Sequence, residues 1–270
     1  MCVRNWRYIV FASPRRLNLR LFYTGKRPMS EMLDVWPVLP VVLSQPHASW
    51  GVSKSYLDSW GNVAGALESE HHHRICQIHL FDIPTSRWER LAAAMEKPFP
   101  ELIFLRFGIE DNTATSVPDS FFAPLVQHLS LSNCPLRGIP KLLLSSDQLV
   151  VLSLFNIPNS GYNSPEDLGT ALSVMSRLES LRLQFQSPLY PASRPPPGFT
   201  PCVLPALTEF VFCGVHEYLE DLLAQLEAPL LKSPPDNFFH GPRLCHPTTS
   251  PVDRPHRIVQ NMRQSNRAHF

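Results

Sequence analysis

The sequence predicts a repeating α/β fold, with parallel strands lining one face and helices or turns lining the other. Three observations carry this: an apolar spacing that occurs six times, a regular step between its copies, and helix signals lying between them. The spacing is clearest at Leu149, Leu152, Leu154 and Ile157 (LVVLSLFNI), an L-x-x-L-x-L-x-x-I pattern. Ile75, Ile78, Leu80 and Ile83 match it, as do Val126, Leu129, Leu131 and Cys134, and Leu207, Phe210, Phe212 and Val215. Two copies keep only the first three positions: Leu102, Leu105 and Phe107, then Leu178, Leu181 and Leu183. The first positions fall at 75, 102, 126, 149, 178 and 207, in steps of 27, 24, 23, 29 and 29. A period of roughly 20–29 residues with an L-x-x-L-x-L strand is the signature of leucine-rich repeats. One copy says little, since any half-buried strand shows L-x-L. Six copies in register weigh against the competing reading, a doubly wound α/β domain with evenly spaced strands.

The expected fold is therefore an α/β leucine-rich-repeat solenoid over residues 71–232, with a short helical N-terminal remnant at 1–20 and a lead-in segment at 21–70. Its six concave-face strands lie near 75–83, 102–107, 126–134, 149–157, 178–185 and 207–215. In the lead-in, Leu17, Leu19 and Leu21 alternate with Arg16 and Arg20, the pattern of a strand or entry segment with one solvated face. Ser53–Ser69 reads as one helix leading into the first repeat. Ser86–Glu96 (SRWERLAAAME) has helix-forming composition with Ser86 placed to cap it. The arm from Pro140 to Gln148 is a single turn carrying Leu142, Leu143 and Leu144. Ser164-Pro165-Glu166-Asp167 is a helix start, with a capping serine, proline at the first helical position and acids in the first turn. Leu168, Leu172 and Met175 follow as its apolar stripe. Glu217–Leu226 reads as a further helix, with Leu219, Leu222, Leu223 and Leu226 on one face. The run SPLYPASRPPPGFTPCVLP at 187–205 reads as a loop inserted between the fifth and sixth copies.

Strands alternating with helical arms imply parallel pairing, with the pattern leucines pointing into the core. The intervening side chains then face outward on the concave side. They are Gln77, His79 and Phe81; Phe104 and Arg106; His128, Ser130 and Ser132; Val151, Ser153 and Phe155; Ser180, Arg182 and Gln184; and Glu209 and Val211. A mixed polar, basic and aromatic stripe on a rigid sheet suits recognition of a protein or peptide.

Composition narrows the function classes. Hydrophobic residues make up 44% of the 270 and charged residues 17%, which is globular. A net charge of +1 gives no field directed at nucleic acid or an anionic membrane. The six cysteines, Cys2, Cys76, Cys134, Cys202, Cys213 and Cys245, include no C-x-x-C pair, which argues against a structural zinc site or a secreted disulfide framework. No apolar run reaches the roughly 18 residues of a membrane helix, and MCVRNWRYIVFASPRR lacks a signal-peptide cleavage pattern. A cytoplasmic or nuclear location is expected. His71-His72-His73 cannot all face one ion and have no partner ligands at metal spacing, so a solvated turn is the reading. Cys134 ends a strand and reads as buried structure. No catalytic or phosphate-binding motif occurs, and neither an enzyme nor a cofactor or metal is expected.

Several stretches resemble the F-box-like leucine-rich-repeat proteins of mushroom-forming fungi. They are CVRNWRYIVFASPRRLNLRL, LDVWPVLPVV at 33–42, PFPELIFLRF at 98–107, GIPKLLLSSDQLVVLSLFNIPNSGYNSPEDL at 138–168, LESLRLQFQSP at 178–188 and LPALTEFVFCGVHEYLEDLLAQLEAPLL at 204–231. The resemblance implies a substrate receptor whose F-box docks on the Skp-type adaptor of an SCF ubiquitin ligase while its repeats hold a protein target. Cys2–Val10 resembles the closing part of such an F-box, with Trp6 in its last helix as the adaptor-binding remnant. The helices that precede it in the family are not in this sequence, so the chain reads as a truncated member. The alternative it leaves open is a truncated product without a ligase role, either non-functional or binding independently of a ligase.

A seventh copy is due at Leu231, 24 residues after Leu207, but the chain turns proline-rich and basic from Ser233 onward. Read one base out of frame, codons for Ser233–Thr249 can spell LLRITFFMDLDFVIPQL, which restores an apolar strand. Residues 233–270 are accordingly expected to be irregular, as an out-of-frame or disordered tail that leaves the last repeat uncapped. Independent transcripts read across codon 232 should show a shifted frame or a displaced splice junction. An uninterrupted frame in all of them would overturn that expectation.

Overall fold

The structure, a computed structural model, describes residues 20–33, 39–44, 54–110, 118, 120–135, 147–158, 161, 163–186 and 201–231. The chain divides into a unit spanning Met1–Ser233 and a second, Pro234–Phe270, which lies outside the described residues. In chain order the first unit contains β1 (Leu21–Tyr23), α1 (Met29–Leu33), β2 (Val41–Ser44), α2 (Lys54–Glu68), a 3-10 turn (Glu70–Arg74), β3 (Ile75–Ile83) and α3 (Thr85–Ala94). There follow β4 (Phe104–Ile109), β5 (His128–Ser132), β6 (Val151–Ile157), α4 (Pro165–Leu172), β7 (Ser180–Phe185), β8 (Cys202–Val203), β9 (Glu209–Cys213), α5 (His216–Leu223) and β10 (Leu226–Glu227). The fold is α/β. Eight parallel strands form one sheet in the order β1-β2-β3-β4-β5-β6-β7-β9, and β8 pairs with β10 apart from it.

The same local bonding recurs along the copies of the apolar spacing, with the turn formed at five of the six first positions among the described residues. The first-position residues Ile75, Leu102, Val126, Leu178 and Leu207 each donate their N–H to the carbonyl three residues back, closing a turn. The carbonyl of the second position then accepts from the next copy. Cys76 O accepts from Ile103 N–H at 2.9 Å, and Ile103 O from Gln127 and His128 at 2.9 and 3.2 Å. Gln127 O accepts from Val150 and Val151 at 2.8 and 2.9 Å, Val150 O from Glu179 and Ser180 at 2.8 and 3.1 Å, and Glu179 O from Thr208 and Glu209 at 2.9 and 3.0 Å. The bonded strands β4, β5, β6, β7 and β9 begin two residues after the first position, later than the repeat spacing alone suggests, whereas β3 begins on Ile75 itself.

Pairing places like on like. Ile78, Leu105, Leu129, Leu152, Leu181 and Phe210 stand side by side across six strands, and Leu80, Phe107, Leu131, Leu154, Leu183 and Phe212 form the row above. All of these are buried except Phe212, which packs partly buried against the same core, and every first-position residue is fully buried. Helices supply the opposing layer, through Trp88, Leu91 and Ala94 of α3, Leu168, Ala171 and Leu172 of α4, and Tyr218 and Leu222 of α5. The Trp88 ring lies 5.4 Å from that of Phe107.

The double gap at the end of the pattern has a backbone cause. Strict pleating would turn the eighth residue inward and the ninth outward. In three of the copies the eighth residue, Asp82, Asn133 or Asn156, sits in the left-handed region at φ 49°, 56° or 51°. Asp and Asn tolerate that region better than other side chains with a Cβ. The kink redirects the chain so that Ile83, Cys134 and Ile157 are buried instead. The copy at Leu102 has no such residue and keeps simple alternation, burying Ile109 at its eighth position.

Several expectations need correcting. The main sheet has eight strands rather than six, because β1 and β2 of the lead-in extend it at the N-terminal side. Arg74 ties this addition to the rest, donating from Nε and Nη2 to Leu39 O at 3.1 and 2.9 Å. Gly25, at φ 72°, lets the segment after β1 meet α2, since a Cβ there would stand 2.7 Å from Ser59 O. Helix α3 starts at Thr85 with Pro84 at its cap, so Ser86 lies inside the first turn and caps nothing. Helix α5 ends at Leu223, and its buried face is set by Tyr218, whose ring packs on Phe185 and Phe212. Leu223 is consequently 44% exposed, and Leu226 leaves the helix to pair with Cys202.

The Ser164 cap is as expected, with Asp167 N–H donating to Ser164 Oγ at 3.1 Å. Helix α2 covers the stretch read as a helix at Ser53–Ser69. The remnant at 1–19, the arm at 136–146 and the proline run at 187–200 lie outside the described residues. Among the described residues no helix is long and apolar enough to cross a membrane.

Truncating Leu152 to alanine removes the centre of a six-residue row and should cost about 3 kcal/mol in chemical denaturation. The same change at the exposed Leu223 should fall within about 0.5 kcal/mol of the parent.

Candidate protein-binding face

The side chains that alternate with the buried rows point away from the helices. Pairing aligns them in two rows. Gln77, Phe104, His128, Val151, Ser180 and Glu209 form the first, and His79, Arg106, Ser130, Ser153, Arg182 and Val211 the second. Phe155 is in register with Ser132, and Gln184 with Cys213. The sequence-derived residues of β3 to β9 thus share one face of one sheet. Ser153 is the exception in accessibility: at 7% exposed it lies below its neighbours and offers a ligand almost nothing. Trp6, the adaptor-binding remnant, lies outside the described residues.

Two regions of the face differ in chemistry. Over β3 to β5, rings stack across the strands: His79 on Phe104 with centroids 4.4 Å apart and planes at 20°, and Phe104 on His128 at 5.7 Å and 28°. His79 Nε2 donates to Gln77 Oε1 at 3.4 Å, and the Arg106 guanidinium lies over the Phe81 ring, 4.7 Å from its centroid. Burial, aided by the Arg106 charge, pulls His79 down to about 4, and burial also lowers His128. Both imidazoles are neutral at physiological pH, so they belong to an aromatic platform rather than a basic patch. Over β7 and β9 the face is polar and internally satisfied. Glu209 accepts from Arg182 Nη2 at 2.7 Å and from Ser180 Oγ at 2.8 Å. Exposed on both sides, that ion pair adds little stability.

Behind the eighth-position kinks, Asn133 Nδ2 donates to Ile109 O at 2.7 Å, and Gln186 Nε2 donates to Asn133 Oδ1 at 3.3 Å. These bonds hold one border of the face.

The repeat spacing missed part of the surface. Phe22 of β1, in register with Val42 of β2, extends the first row to the N-terminal edge, where it is 66% exposed. Ser44 extends the second row beside His79. Strands of three and four residues are too short to carry the full spacing, and only the alternation before Tyr23 marks them. The triple histidine, read as a solvated turn, is half-buried to exposed at the junction into β3. It forms a 3-10 helix capped by Ser69, His72 donates to Ser69 O at 2.8 Å, and the His72 ring meets the edge of Phe99 at 5.8 Å. Cys134 is buried as expected, and burial raises the Cys202 thiol to about 11, away from reactivity.

A scan of family models and searches of curated proteins and of solved structures returned no match.

The folded-state value of His79 lies below its ordinary 6.5, so an unfolded chain binds a proton that the fold refuses between about pH 6.5 and 4. Stability should therefore fall as pH drops through that window. Between pH 6.5 and 5, the wild-type chain should lose about 1 kcal/mol more than a His79→Asn variant, followed by urea midpoints.

Proposed function

We propose that this chain is a protein-binding leucine-rich-repeat solenoid, resembling the substrate-recognition subunit of an SCF-type ubiquitin ligase. The observation that carries the reading is the strand order. Each strand of the main sheet pairs with the next main-sheet strand in the chain, and the order never reverses. A doubly wound sheet reverses its order and is covered by helices on both faces. The burial pattern supports the same reading, since the described helices and the inward leucines share one core while the outward rows of β3 to β9, Ser153 apart, stay half-buried or exposed. So does the turn at five first positions, together with the double-accepting carbonyl that follows.

A flat or curved array of rings, amides, hydroxyls and charges recognises a macromolecule by its surface chemistry and has no need of a reacting group. The reading is binding without chemistry, in the cytoplasm or nucleus. The adaptor half of the proposal rests on the likeness of Cys2–Val10, with Trp6, to the end of an F-box. Binding independent of a ligase is the second reading, and it needs only the repeat face.

Affinity purification of the full chain should recover the Skp-type adaptor together with a target whose capture is lost in an Arg182→Glu, Phe104→Ala double variant. Target without adaptor would establish the second reading. Capture indifferent to both substitutions would remove the face from the mechanism.

A further inference from the structure

Arg106 stands apart from the other charges on the open face. Arg182 is met by Glu209 at 2.7 Å. Arg106 is half-buried, and among the described residues it has no hydrogen bond and no ion pair; its contact is the Phe81 ring. Its cross-strand neighbours are His79 and Ser130, neither of which carries negative charge. Burial alone moves its titration below the usual guanidinium range, with no carboxylate opposing. A desolvated cation without a counter-charge is costly.

The nearest satisfied pair on this face does not compensate it. Arg182 is three strands away, roughly 14 Å at about 4.8 Å per strand. That exceeds the Debye length of about 8 Å at physiological ionic strength. The histidines beside Arg106 are neutral, so this part of the face presents one positive charge on an aromatic platform of His79, Phe104 and His128. One cation complements one monoanion. Either a carboxylate or a phosphate can take the guanidinium fork with two parallel hydrogen bonds, but a dianionic phosphate group would leave a charge unmatched, whereas a carboxylate would not.

We propose that Arg106 is the anchor for a target's acidic side chain. The open face takes a peptide segment in which an Asp or Glu carboxylate pairs with Arg106 while an adjacent apolar or aromatic residue lies on the His79–Phe104–His128 platform. This deepens the protein-binding reading and rests on it.

The test is selection of random dodecapeptides on the full chain by phage display, followed by a double-mutant cycle on the tightest synthetic peptide. Enriched peptides should carry an acid next to an apolar residue. Replacing that acid by its amide should weaken binding to the wild-type chain tenfold or more, and to Arg106→Gln by less than threefold. Arg106→Met, which keeps the apolar stem and removes the charge, replaces the glutamine variant in the cycle if the latter fails to fold. Enrichment without acids, no enrichment, or equal losses on both proteins overturns the assignment. A phosphoserine version that binds more tightly than the Glu peptide overturns the carboxylate as the group recognised. Peptides that respond to Arg182→Gln and not to Arg106→Gln also overturn it, yet leave the protein-binding reading standing.

Discussion

One carbonyl per repeat sets the geometry of everything else. The second-position carbonyl accepts from two successive N–H groups of the following copy at four junctions, and from one at the junction between β3 and β4. A bond of this kind is worth only about 1 kcal/mol net, yet it has a second effect. It pins where each strand starts relative to its predecessor. Strand side chains alternate, so a slip of one residue would send every leucine to the solvent and every polar residue to the core. The leucine rows, the helix layer that covers them and the aligned open face all depend on that pinning.

The price of an open face is that the sheet must be stabilised from one side. Each inward row packs across six strands into one core with the helices. The outward rows are thereby released from packing duty and can differ from strand to strand. That freedom is visible in the change from stacked rings over β3 to β5 to the Arg182–Glu209–Ser180 cluster over β7 and β9. A uniform core carries a varied surface.

The parts legible in the sequence were those governed by a period. Leucines at fixed spacing located six strands and oriented their outward residues, because pleating has no other solution once the core side is known. Ser164 announced α4 because a side-chain cap is a local event. The misses were set at longer range. The register of β1 and β2 depends on pairing with β3 and on Arg74 reaching Leu39, which no local pattern encodes. The rotation of α5 follows the ring of Tyr218 against Phe212 of the strand just before it and against Phe185 of the preceding copy. On the face itself, sequence placed Arg106 and Phe81 but could not show that one lies over the other, nor that Ser153 is sunk between its neighbours.

Strand order identical to chain order also bears on synthesis. Main-sheet partners lie only one repeat back, so each strand leaves the ribosome with its partner already made. Loop-closure entropy grows slowly with separation, and offsets of 20 to 35 residues between paired main-sheet strands keep every closure short. The chain can therefore ordain its own assembly from one end, adding each layer to a finished template. Growth by duplication of a whole repeat would lengthen the open face without disturbing any bond already formed.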